Sequence, residues 1–188
     1  MENRKKLEKI LYFFVPYNIS EIQKGIQAGH AALEYAQEYS TDEEYLNFID
    51  NWKTWIILDG GTTNNSSDNP GTLQQIRKEL FDFNSDSLDE INFSTFKEPD
   101  LNDALTAICF ICDERVFNYQ EYPAFPDWIM YHDIIDEDEK LRSFVDLRIR
   151  EKDEIIKMFP KMYPLWVEEM GGPKNVFLRE LLEDKELA

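Results

Sequence analysis

An α/β fold is what this 188-residue chain predicts, on three observations. Short apolar runs rich in aromatic and β-branched residues alternate with longer stretches of helical spacing, and glycine and proline mark the changes between them. A hydrophobic content of 43%, with 14% aromatic residues, is enough for one substantial core. The order of elements is strand, helix, strand, helix, strand, strand. That order suits a small layered domain whose helices pack on a mostly buried sheet.

The first run, "EKILYFFVP" (residues 8–16), is aromatic-rich and closed by Pro16, so it reads as a strand. Ser20 is the expected N-cap of a helix from Glu21 to about Tyr39, which has helical spacing and no internal proline. Gly25, Ala28, Gly29, Ala32 and Ala36 lie on one side of it, and that side is expected to approach the sheet closely, since glycine otherwise costs a helix about 1 kcal/mol relative to alanine. "TDEEYLNFIDNW" continues as a short helix, and "KTWIILDGG" is a buried strand stopped by Asp59, Gly60 and Gly61. A polar loop leads to the helix "GTLQQIRKELFDF", where Leu73, Ile76, Leu80 and Phe83 recur at three and four. "EINFSTF" alternates as a strand.

The stretch "EPDLNDALTAICF" (98–110) admits two readings. Pro99 with its acidic neighbours suits a helical first turn, yet Thr106 to Cys112 is almost wholly apolar and has no breaker. The strand order favours a polar elbow over 98–103 followed by a core strand over Leu105–Cys112. On such a strand Cys109 and Cys112 point to opposite faces, so the CxxC spacing predicts core residues rather than a redox pair or half a zinc site. Beyond Asp113 the texture changes. "RVFNYQEYPAFPDW" is expected to lie across the surface of the first unit, residues 133–158 have helical spacing with Leu141, Phe144, Val145, Leu147 and Ile149 as apolar positions, Pro160 and Pro164 interrupt, "MGGP" turns, and "KNVFLRELLEDKEL" forms a last helix.

Charge narrows the function. With 38 acidic and 20 basic residues the formal net charge is −18, which argues against a general electrostatic grip on nucleic acid and requires a local basic patch for any RNA contact. The segment after Met1 is charged, and no run of about 18 apolar residues follows, so a soluble intracellular protein without a membrane segment is expected.

Four stretches together carry a family resemblance: "FFVPYNIS", "IQKGIQAGHAALEYA", the strand ending "ILDGG", and "FKEPDLNDALTAICF". The chain resembles the type 2 peptidyl-tRNA hydrolases, in particular the shortened forms of phages and bacteria, over residues 8–117. The helix with its Gln-x-x-His-Ala core (Gln27, His30, Ala31) and the acidic loop leading to Thr106 are the motifs that match. The resemblance implies a mixed four-stranded sheet flanked by helices, here over residues 1–117; residues 118–188 fall outside it and read as a mainly helical C-terminal extension. It also implies a homodimer in the cytoplasm (the host's, if phage-encoded), and cleavage of the ester between a peptide and the terminal ribose of tRNA, with no cofactor and no metal.

Ester hydrolysis needs an activated water and donors for the developing oxyanion. The family's helix lysine falls on Gln23, an amide that donates hydrogen bonds but carries no charge. Lys24 stands one place along, about 100° around the helix. Thr106 matches the threonine that opens the last strand. The late carboxylate falls on Glu98 or Asp100, with Asp100 preferred because Pro99 orients the chain just before it. Gln23, Gln27, His30 and Glu34, spaced four, three and four, share one helix face. His30, Asp100 and Thr106 are therefore the candidate catalytic residues, and Gln23, Lys24, Gln27, Thr62 in the loop after "ILDGG", and Asn102 in the elbow are the candidates for holding peptidyl-tRNA. His30 also reads as a structural hydrogen-bonding residue. His30 with Glu34 has metal-compatible spacing but no third ligand, and the loop "DGGTTNNSSDNPGT" lacks the lysine of a phosphate-binding Walker loop. The alternative to a hydrolase is a catalytically inactive relative that binds tRNA or a host protein, the latter through residues 118–188; an assembly protein using Tyr119–Trp128 is a third.

Overall fold

The computed structural model of the chain describes residues 6–132 and 152–188. The first unit runs β1 (Lys9–Val15), α1 (Glu21–Glu38), α2 (Glu43–Asn51), β2 (Thr54–Asp59), α3 (Thr72–Asp86), β3 (Phe93–Glu98), a single 3-10 turn (Pro99–Leu101) and β4 (Ala104–Asp113). The four strands form one mixed sheet in the order β2-β1-β4-β3. β1 and β2 are parallel, with Phe13 beside Ile57; β4 runs antiparallel to β1 and to β3. The expected α/β class, with a four-stranded mixed sheet and a helical C-terminal part, is what the chain adopts.

The central strands β1 and β4 are covered on both faces, which is why they read as continuous apolar runs rather than alternations. Ile10, Tyr12 and Phe14 of β1 with Ile108, Phe110 and Cys112 of β4 pack under α3, whose Leu73, Ile76 and Leu80 face the sheet. Leu11, Phe13 and Val15 with Ala107, Cys109 and Ile111 pack under α1 and α2 through Ala28, Ala31, Tyr35 and Phe48. The two cysteines thus belong to opposite layers as free buried thiols, and burial pushes the Cys109 thiol up to about 12.

The small residues of α1 divide differently from the expectation. Ala28 and Ala31 are fully buried against the sheet, but a Cβ added at Gly25 or Gly29 would meet none of the described residues within 4 Å. These glycines lie on the outer side, near the exposed Ile22, Ile26 and Leu33, so no contact with the sheet accounts for them. Since alanine is the better helix former, Gly25→Ala and Gly29→Ala should each stabilise the fold by about 0.5–1 kcal/mol, read as a rise in the thermal midpoint at low protein concentration. The buried Tyr35 hydroxyl on the inner side has no hydrogen-bond partner among the described residues, and burial pushes its pKa up. Tyr35→Phe should therefore be neutral or stabilising by about 1 kcal/mol in denaturant titration, because it removes an uncompensated desolvation.

After β4 come α4 (Glu114–Phe117), α5 (Phe125–Tyr131), α6 (Lys152–Met158), α7 (Tyr163–Glu169) and α8 (Pro173–Leu182). Two expectations change here. The aromatic stretch lies on the first unit only at its start, where Val116 and Phe117 pack against the layer of Tyr12; its later part forms a core of its own with the last helices, in which Phe125, Trp128 and Ile129 meet Ile155, Trp166, Met170 and Val176. Aromatic bulk of this kind requires a partner surface, and α6–α8 supply it. Pro164 stands in the first turn of α7, where its missing N–H is no loss, so it starts a helix instead of interrupting one. The apolar positions Leu141, Phe144, Val145, Leu147 and Ile149 lie outside the described residues.

The C-terminal part is joined to the sheet. Leu178 and Leu181 of α8 enter the core layer under α3. Leu187 forms an antiparallel bridge with Leu58, and the amides of Asp59 and Ala188 donate to Glu186 and Ile57 carbonyls, so the chain end covers the β2 edge that would otherwise present free backbone groups. Glu44 of α2 receives both Lys9 of β1 at 2.8 Å and Lys174 of α8 at 3.0 Å. At the end of β4, Asp113 holds Arg115 through two oxygens and receives Asn175 of α8, whose amide also donates to the Met170 carbonyl. Gly171 is needed there: its φ is +89°, and a Cβ would fall 2.2 Å from the Arg115 guanidinium carbon.

Candidate functional site

The parallel pair β1 and β2 ends at Val15 and Asp59, and the antiparallel partners place the end of β3 and the start of β4 at that same edge. The first turns of α1, the loop 60–71 and the elbow 99–103 therefore gather at the carboxyl ends of the parallel strands, where open α/β sheets commonly place their ligands. Gly60 permits this closeness: a Cβ there would lie 2.7 Å from Leu73 and 3.1 Å from the Val15 carbonyl. Asn65 donates to the Asp103 carbonyl at 3.3 Å and ties the loop to the elbow.

A β-bulge organises the centre of this edge. Phe96 pairs with Ala107 but Lys97 pairs with Leu105, which leaves Thr106 as the extra residue on β4. The bulge reverses the alternation, so that Leu105 packs on the α3 side while Thr106 turns to α1. Thr106, 1% exposed, donates its hydroxyl to Gln27 Oε1 at 2.5 Å. Gln27, 8% exposed, donates through Nε2 to Glu98 Oε2 at 2.7 Å. The amide of α1 thus has one polar group on each side, and the carboxylate at the end of β3 is held in one orientation. Its other oxygen, Oε1, has no hydrogen bond among the described residues.

His30 lies one turn along α1, exposed, with its ring stacked on Phe96 at 4.4 Å between centroids and 19° between planes. Lys24, one turn the other way, keeps only 12% of its side chain exposed and pairs with Glu21 at 3.1 Å. It follows the inward line of Ala28, Ala31 and Tyr35, which explains how a residue next to the exposed Gln23 turns toward the sheet. Gln23 itself is engaged in a capping box: Ser20 Oγ accepts from the Gln23 backbone N–H, and Gln23 Oε1 accepts from the Ser20 backbone N–H at 3.1 Å. Glu34 is exposed farther along the helix, beside a groove lined by Tyr39, Arg77 and Ser94, away from this centre.

The remaining candidates stand apart from the hydrogen-bonded chain. Asp100 is exposed in the 3-10 turn, with no hydrogen bond or ion pair among the described residues, so Glu98 is the carboxylate brought to Gln27. Asn102 is exposed with φ +55°, a left-handed turn position that Asn tolerates. Thr62 accepts the Thr72 N–H on its hydroxyl and the Leu73 N–H on its carbonyl, substituting for the side-chain cap that Gly71 cannot give α3. The Phe96 platform beneath His30 was not among the sequence candidates. Its signal is the alternation in "INFSTF", which puts Phe93 and Phe96 on opposite faces of β3 and so sends Phe96 to the α1 side.

Among the described residues no three His, Cys, Asp or Glu side chains gather as metal ligands, and no described helix is long and apolar enough to cross a membrane. No protein-family model matches the chain, and the search of curated proteins finds no match.

Proposed function

We propose that the chain is a relative of the type 2 peptidyl-tRNA hydrolases and cleaves the ester between a peptide and the terminal ribose of tRNA. The observation that supports this reading is the chain of hydrogen bonds from Thr106 through Gln27 to Glu98. It links the helix glutamine to the strand threonine on one side and, on the other, to Glu98 at the end of β3, one of the two residues on which the late carboxylate of the resemblance falls.

In this reading Glu98, oriented by Gln27 through one oxygen, takes a proton from water on the other. The water oxygen bonds to the ester carbonyl carbon, the carbonyl electrons move onto its oxygen, and collapse of that intermediate expels the ribose oxygen, which takes back the proton held by Glu98, while the new acid releases its own proton to solvent. The products are a peptide carboxylate and a tRNA with a free terminal hydroxyl. Lys24, once it leaves its pair with Glu21, supplies positive charge to the developing oxyanion. The exposed imidazole on Phe96 offers a stacking surface for the terminal base. Thr106 is a positioning residue, because its buried hydroxyl donates to Gln27. The reaction takes place in the cytoplasm. The homodimer would bury the outer face of α1, where Ile22, Ile26 and Leu33 are exposed beside Gly25 and Gly29; a monomeric mass by sedimentation at high concentration would remove that part.

The test is hydrolysis of a purified peptidyl-tRNA, followed as release of deacylated tRNA. Turnover that disappears in Glu98→Gln is expected; absence of hydrolysis at high enzyme concentration counts against the activity. One observation favours the second reading, an inactive relative that binds tRNA or, through residues 118–188, a protein: Gln23, at the position of the family's lysine, is uncharged and engaged in the helix cap. Binding of deacylated tRNA without turnover would select it.

A further inference from the structure

The chain covers one edge of its sheet and leaves the other bare. Leu187, with the amides of Asp59 and Ala188, closes the β2 side, whereas β3 at the opposite side has no described strand beyond it. Successive residues of an edge strand direct their backbone groups alternately into the sheet and out of it. The Phe96 carbonyl faces β4, where it accepts the Thr106 hydroxyl at 3.5 Å, so Ser94 faces β4 as well, and Phe93 and Thr95 point outward. Tyr39 donates its hydroxyl to the Phe93 carbonyl at 3.2 Å. The amides of Phe93 and Thr95 and the Thr95 carbonyl have no such partner among the described residues.

These groups open into a groove with two unlike walls. On the α1 side stand the exposed carboxylates of Glu34 and Glu38, neither of them ion-paired among the described residues. On the α3 side Phe81, 55% exposed, meets Phe93 edge-on at 5.1 Å between ring centres, with Arg77 over its ring. A strand laid along β3 sends alternate side chains to these two walls, because α1 and α3 cover opposite faces of the sheet. One set therefore meets carboxylates, and the other meets an aromatic ring beside a cation. The first set is complementary if basic, the second if apolar.

We propose that the outer side of β3 docks an extended segment of a partner protein in which lysine or arginine alternates with apolar residues. Backbone bonds to Phe93 and Thr95 hold the segment, and the two walls select its side chains. The exposed Lys97 and the register shift after Phe96 end the open stretch. A second copy of this chain is the poorer occupant, since it brings the same acidic wall and a net charge of −18 against −18. The docking does not rest on the hydrolase reading.

The experiment titrates the whole protein with a capped peptide of about seven residues alternating lysine and valine, with the glutamate–valine peptide as its counterpart. The Thr95 amide resonance and its hydrogen exchange are followed. Saturable binding with a Kd of about 0.1 mM or tighter and slowed exchange at Thr95 are expected, with the glutamate peptide at least about tenfold weaker. A strand bonds its neighbour through alternate residues only, so methylating the backbone nitrogens of all the lysines, or of all the valines, separates strand addition from charge attraction. One of these two peptides should lose binding and the other keep it. Glu34→Lys combined with Glu38→Lys, both at exposed positions, should retain the thermal midpoint and weaken the lysine peptide by at least about tenfold. Absence of saturation by about 1 mM overturns the proposal, as does equal binding of the glutamate peptide or equal behaviour of the two methylated peptides. Slowing of Thr95 exchange in the protein alone as its concentration rises would give the edge to a second copy, and overturns it too.

Discussion

Glu98→Gln should lower the rate of peptidyl-tRNA hydrolysis by about 10²–10⁴-fold, the usual contribution of a positioned general base, whereas Asp100→Asn should leave it within about threefold. The contrast is informative because the two carboxylates are two residues apart and flank Pro99. Glu98 is half-buried at the end of β3 and fixed by the Gln27 amide; Asp100 is exposed on the 3-10 turn. Gln at 98 retains a carbonyl oxygen that can accept from Gln27, so the hydrogen bond and the fold should persist and the loss should fall on kcat. Stopped-assay measurement of deacylated tRNA, with circular dichroism of both variants, checks this. Equal loss in the two variants would remove Glu98 from the proposed role. Thr106→Val should also reduce turnover, by a smaller factor, since it releases Gln27 on one side without removing the carboxylate.

Asp113→Ala should destabilise the fold by about 3 kcal/mol, the largest single loss of stability expected outside the apolar core. The carboxylate is 7% exposed and serves three donors: the Arg115 side chain, the Arg115 backbone amide and the Asn175 amide. Without it Arg115 loses its counterion beneath Gly171, and α8 loses one tether to the end of β4. Urea titration measures the loss. The same residue predicts a pH dependence. Burial alone would raise the Asp113 pKa, but the hydrogen bonds and charge of Arg115, with Asn175, outweigh it and hold the carboxyl below its ordinary value of 3.8. With the folded pKa depressed, the unfolded chain binds the proton first, so the stabilisation is complete above pH about 4 and is lost as the pH falls through the folded value. Asp113→Asn should be less stable than the parent near neutrality and show a shallower further loss on acidification below pH about 4.

Much of the fold is legible in the sequence because its period signals are local. Ser20 caps α1 through an oxygen and an amide three residues apart, a pattern visible in "SEIQ". The apolar runs of β1 and β4 are continuous because both faces of these strands are covered, and the opposite sides taken by Cys109 and Cys112 follow from the two-residue repeat of a strand. The candidate site is legible only in part. The edge at which Gln27 meets the turn around Pro99 follows from the order of the elements, but the choice of Glu98 over Asp100 does not. That choice depends on β3 running as far as Glu98, on the α1 side with Phe96, while Asp100 falls in the 3-10 turn; Thr106 in turn reaches Gln27 only as the extra residue in the register between β3 and β4, and nothing in the local composition marks that bulge.

The sequence by itself determined the elements, their order and the class of fold, since helix caps, apolar periods and breakers act over a few residues and need no distant partner. Tertiary structure decided which side of α1 faces the sheet, where the aromatic residues after Asp113 find a core, and which carboxylate Gln27 holds. Each of these depends on a contact between residues far apart in the chain: 71 positions separate Gln27 from Glu98. Gly25 and Gly29 show the same division, for their helix is evident in the spacing while their outward position is set only by how Ala28 and Ala31 fit the sheet.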